Sequence, residues 1–101
     1  MLTPAHARMA RAALKWSLDD LKQKTGLSKT TLVRFEAGRG VYHSTAIKLE
    51  QTFANEGVIF IYADAAKGPG VQLSNELFRR VDETAGTVEK PKSGKRNQKA
   101  K

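Results

Sequence analysis

The sequence has no cysteine. That excludes a disulfide framework and any metal site built on thiolates. It fits a reducing, cytoplasmic setting. Aromatic residues make up only 7% of the chain. No set of them is arranged as a stacking platform for unpaired bases, which argues against RNA reading. No apolar run approaches the roughly 20 residues needed to cross a bilayer. The first residues run into a Pro-started, charged segment rather than an apolar leader, so neither a secretory signal nor a membrane partner is expected. Paired carboxylates, a nucleophile beside a base, and a phosphate-cradling glycine loop are all missing, so an enzyme is not expected. No cofactor or metal is expected either. His43 has no metal-spaced His, Cys or carboxylate partner.

What is present is positive charge, unevenly spread. The 101 residues carry a formal net charge of +8. Residues 1–43 hold eight Lys/Arg against three Asp/Glu, residues 44–88 four against six, and residues 89–101 six against one. A basic head, a mildly acidic middle and a basic tail suit a polyanion at one end and a protein partner elsewhere. Charge alone would also serve solubility.

The pattern predicts a mainly α chain. Thr3-Pro4 starts a first helix, with Thr as N-cap and Pro at the first helical position. Ala5, Met9, Ala12 or Ala13, and Trp16 recur at helical spacing along it. Trp16 reads as core. Ser17 caps a second helix whose first turn holds Asp19 and Asp20, where the helix dipole favours carboxylates. Leu18 and Leu21 supply its buried side, and Gly26 ends it. Ser28 caps a third helix that runs to about Ala37 and stops at Gly38. A loop over 38–43 follows. Ser44 or Thr45 opens a fourth helix with Ala46, Leu49 and Phe53 on one stripe and Ile47 and Ala54 beside it.

The period then changes. "VIFIY" at 58–62 is β-branched and aromatic and too short for a helix. "VQL" at 71–73 returns after a turn-rich loop, giving a small β-hairpin. Ser74 caps a short fifth helix through about Glu83, with Leu77, Phe78 and Val81 as its apolar side. From Thr84 onward almost nothing can be buried, and disorder is expected. The domains are thus 1–56, a helical head; 57–83, hairpin and short helix; and 84–101, a basic tail.

Helix two, a three-residue turn and helix three form a helix-turn-helix. In such a unit the second helix lies in the DNA major groove. Leu32 and Phe35 share one face; Lys29, Thr30 and Arg34 project away from it. The stretch "WSLDDLKQKTGLSKTTLVRFEAGRG" at 16–40 resembles the Cro and lambda-repressor type helix-turn-helix regulators over roughly residues 3–56. "LTPAHARMARAALKWS" followed by "NEGVIF" and "GPGVQL" is also similar, more loosely, to short bacterial regulators with a helical head and a β-hairpin.

The resemblance implies roles by position. Lys29, Thr30 and Arg34 fall at base-facing places, where Arg and Lys suit guanine and a Thr methyl suits thymine. Ser28 and Thr31 would be phosphate contacts or caps. Ser17 would sit near a phosphate at the start of helix two. Arg39, Tyr42 and His43 would grip the backbone beyond helix three. Arg11 and Glu36 match a structural ion pair. Three positions depart from the family: Leu18 replaces a phosphate-contacting Gln, Lys22 replaces a small Ala, and Lys15 stands where Gly often ends helix one.

The leading expectation is a sequence-specific double-stranded DNA-binding regulator, a dimeric repressor of a palindromic operator in a bacterium or phage. Its homodimer surface is placed at Val58, Ile59, Phe60, Ile61 and Tyr62, because five successive apolar residues exceed what a hairpin with one wet face needs. The same residues could instead cover the protomer's own helices. The alternative is an antitoxin or adaptor that holds a partner protein through 57–101 and autoregulates through the helix-turn-helix. The chain leaves no room for a separate small-molecule domain.

Overall fold

The computed structural model describes residues 1–83, with Glu83 described by its backbone alone. Four helices come first: α1 (Pro4–Leu14), α2 (Leu18–Thr25), α3 (Lys29–Glu36) and α4 (His43–Glu56). Strands β1 (Val58–Ile61) and β2 (Gly70–Leu73) follow, then α5 (Asn75–Phe78) and a π-helical turn over Arg79–Glu83. The basic tail expected over 84–101 lies outside the described residues. Among the described residues no helix is long and apolar enough to cross a membrane.

Local chemistry sets the helix ends. The Thr3 hydroxyl accepts from the His6 N–H at 3.2 Å, and His6 Nδ1 accepts from the Thr3 N–H at 3.1 Å. Ser17 and Asp20 make the same reciprocal box at α2. Gly26 closes α2 with φ +77°, and its N–H reaches the Lys22 carbonyl at 2.8 Å. Only three residues then separate α2 from α3.

Two expectations about helix faces need correction. The buried stripe of α1 is His6, Ala7, Ala10 and Leu14, not Ala5, Met9, Ala12 or Ala13, and Trp16. Small alanines let the helix lie close on its neighbours, which turns the large Met9 to the margin. Trp16 falls in the turn after α1, half-buried, with its ring stacked on Phe53 at 6.0 Å. Helix α4 starts at His43, before Ser44 or Thr45, with Tyr42 as N-cap and no side-chain cap. Thr45, Ala46, Leu49 and Phe53 are its buried face, while Ile47 and Ala54 are exposed.

The strands pair antiparallel, Val58 with Leu73 through Ile61 with Gly70. Val58 enters the core, and Phe60 packs against it with its ring edge-on to Phe53 and His6. Fully buried His6 joins this hairpin to α1. Since its Nδ1 accepts from Thr3, its Nε2–H donates to the Ile61 carbonyl, at 2.9 Å. Ser74 caps α5, which is one turn long, and Leu77 is buried; Phe78, expected on the apolar side, is 42% exposed.

Candidate nucleic-acid interface

Helix α3 has one buried face and one exposed face. Leu32 and Phe35 are fully buried between α1 and α2. Lys29, Thr30, Val33 and Arg34 are exposed and line one open depression. These four recur at one-turn spacing, so their side chains share a face.

Glu36, at the end of α3, fixes the helix from its inner side. Arg11 on α1 donates to it twice, Nε to Oε2 at 2.8 Å and Nη2 to Oε1 at 3.0 Å. Arg11 Nη1 also donates to the Trp16 carbonyl at 3.1 Å, and Arg8 donates to the Glu36 carbonyl. Hydrogen bonding to Glu36 pushes the Arg11 guanidinium above its ordinary value, against the opposing pull of burial. Two arginines of α1 therefore set the position of α3.

The outer face is charged but not bare. Lys29 Nζ lies 3.3 Å from Asp19 Oδ1 of α2. Both side chains are more than half exposed, so this pair is worth at most about 1 kcal/mol and yields readily to a phosphate or a base. Arg34 lies over the turn that follows α3. A Cβ at Gly40, where φ is +58°, would sit 3.7 Å from Arg34 Nε and Nη2 and 3.3 Å from Tyr42 Cε2. The bare glycine leaves space for the guanidinium beside the Tyr42 ring.

The remaining residues divide by role. Ser28 is a cap: its hydroxyl accepts from the Thr31 N–H at 3.1 Å and donates to Thr31 Oγ1 at 2.9 Å. Thr31 is thereby held at the helix start. Ser17 is occupied likewise: its N–H donates to Asp20 Oδ2 at 2.8 Å. A phosphate arriving there would also meet the carboxylates of Asp19 and Asp20, so this helix start is a poorer anion site than the resemblance implies. Arg39, Tyr42 and His43 are exposed just beyond α3, and His43 Nδ1 lies 3.3 Å from Met1 Sδ.

Sequence reasoning missed Val33. It is 46% exposed on the outer face of α3. The signal was available: it stands four residues after Lys29 and three after Thr30, off the Leu32–Phe35 stripe.

The residues assigned to a dimer surface separate by strand alternation. Val58 is in the chain's own core and half-buried Phe60 packs on it, so neither offers an outer surface. Ile59 and Ile61 are each 48% exposed on the opposite face. The Tyr62 ring lies edge-on to His6 at 5.2 Å, and its hydroxyl donates to the Glu50 carboxylate. That bond pushes the Tyr62 phenol above its ordinary value, with smaller contributions from burial and from the Glu50 charge.

Nothing among curated proteins matches the chain. The helix-turn-helix family model matches residues 8–54, which span most of α1 through most of α4. With its capped α2, three-residue turn, inward Leu32 and Phe35 and outward cationic face, the head over residues 8–54 belongs to the Cro and lambda-repressor type helix-turn-helix family of DNA-binding regulators.

Proposed function

We propose that the protein is a sequence-specific transcriptional repressor that binds double-stranded DNA as a homodimer and acts by occluding a promoter. The observation that carries this is the outer face of α3. Lys29, Thr30, Val33 and Arg34 form one exposed surface on a helix whose opposite side is locked into the core. Lys29, Thr30 and Arg34 contact base edges. Arg39, Tyr42 and His43 hold the backbone, and the basic residues of 84–101 add affinity without sequence preference. Ser28 and Ser17 act as caps first and phosphate contacts second, and Thr31, held by Ser28, is a further phosphate contact.

One such helix reads only a few base pairs. A two-fold dimer on a palindrome, with half-sites one helical turn apart, supplies the rest. Ile59 and Ile61 are the apolar surface left for a second copy, with Tyr62 at its margin. The cell compartment this implies is the cytoplasm of a bacterium or of a phage host. A second reading rests on the same two isoleucines: an adaptor or antitoxin would use them, with the rest of 57–101, to hold a different protein.

Selection from random duplexes at moderate salt, followed by sequencing of what is retained, tests this. A palindrome with half-sites about 34–36 Å apart supports a dimeric operator-binding protein. Tight, salt-sensitive retention without enrichment of any sequence would overturn it.

A further inference from the structure

Val33 stands out on the recognition face because its chemistry differs from everything around it. Lys29, Thr30 and Arg34 carry donors that a wet surface satisfies. Val33 carries two methyls, nearly half exposed, in the same depression. A single exposed apolar residue is ordinary on a protein surface. This one lies on the face that enters the groove, so docking removes it from water together with its polar neighbours.

Its shape is also fixed in advance. A β-branched side chain in a helix keeps one strongly preferred rotamer. Helix α3 itself is held by Leu32, Phe35 and the Arg11–Glu36 pair. Val33 therefore presents a rigid apolar knob rather than an adaptable one.

The edges of base pairs in the major groove offer donors and acceptors at every pair, but one apolar group only, the C5-methyl of thymine. We propose that Val33 is a specificity-determining residue that packs on a thymine methyl, so each half-site contains a T·A pair at the place Val33 meets. This rests on the DNA reading proposed above. It adds a base contact beyond those assigned to Lys29, Thr30 and Arg34.

The test uses the full chain and the duplex retained in the random selection, with each thymine replaced singly by uracil, which removes only the methyl. At one position per half-site the wild-type protein loses about fourfold in affinity, the value of one buried methyl-sized group. Val33→Ala, an exposed substitution that leaves the fold intact, binds the thymine and uracil duplexes equally there. Two outcomes overturn the assignment while leaving DNA reading in place. Either no thymine is sensitive, or the sensitivity persists unchanged in Val33→Ala, in which case another side chain such as Thr30 holds the methyl. A selection that enriches no sequence overturns the DNA reading and this assignment together.

Discussion

Arg11 and Glu36, twenty-five residues apart, meet through two hydrogen bonds of 2.8 and 3.0 Å that tie the first helix to the end of the third. The Glu36 side chain is 10% exposed and that of Arg11 27%. Removing either partner leaves the other charge partly buried and uncompensated. Glu36→Ala is expected to cost about 2–3 kcal/mol of stability, the range of a charge-assisted hydrogen-bonded pair losing one side. Denaturant unfolding measures this. Affinity for the selected duplex should fall as well, since the same pair sets how α3 is presented.

Lys15 ends α1 with φ +60°, the only non-glycine at positive φ among the described residues. A side chain in that region costs about 1–2 kcal/mol, while glycine adopts it freely at some expense in chain entropy. Lys15→Gly should therefore raise stability by about 1 kcal/mol. Its ion pair with Asp82, 3.9 Å long and exposed, contributes little. Lys15→Ala is the control: it loses the pair, keeps the strain and gains nothing. Thermal unfolding of both variants separates these effects.

Gly57, at φ +110°, is the point where α4 hands over to β1. A Cβ there would stand 2.7 Å from Ser74 Oγ and 3.0 Å from Leu77 Cβ. Gly57→Ala should cost more than about 2 kcal/mol, because backbone strain and displacement of the α5 cap add. Hydrogen exchange should show the loss concentrated in β1, β2 and α5.

Asp64 lies in the hairpin loop, where its Oδ1 accepts from the N–H groups of Ala66 and Lys67, each at 2.8 Å. These bonds hold its carboxyl below the usual carboxylate range. A folded value below the unfolded one means that the loop is stabilised above the ordinary range, near pH 4, and that this is lost as pH falls through the lower folded value. A carboxyl NMR titration should give Asp64 a midpoint below 3.8. The Ala66 and Lys67 amide shifts should follow it.

Where sequence and structure agree, a local signal is the reason. Thr3-Pro4, Ser17, Gly26 and Ser28 each act on backbone groups within a few residues, so the helix ends they mark could be read directly. The hairpin was legible because its β-branched run breaks the helical period. The face of α1 was not, because alanines lie on several sides of it and only packing chooses among them. The start of α4 was hidden for a similar reason: Tyr42 caps it without a side-chain bond, so no Ser or Thr marks the place. The split of "VIFIY" into inward Val58 and Phe60 and outward Ile59 and Ile61 follows strand alternation, but which set faces in depends on α4 and His6. On the outer face of α3, polar residue types announced the exposed Lys29, Thr30 and Arg34. Val33 was passed over because a valine in a helix reads as core until its position relative to Leu32 and Phe35 is worked out.

The measurement that bears most directly on the account compares wild type and Arg34→Ala on the selected duplex and on its single-base variants, by fluorescence anisotropy at fixed salt. The account predicts that wild type prefers one base at a particular position in each half-site. Arg34→Ala should lose about 1–3 kcal/mol there and bind all four bases alike at that position, while discriminating normally elsewhere. An Arg34→Ala protein that discriminates at every position as wild type does would contradict the claim that the outer face of α3 reads the sequence.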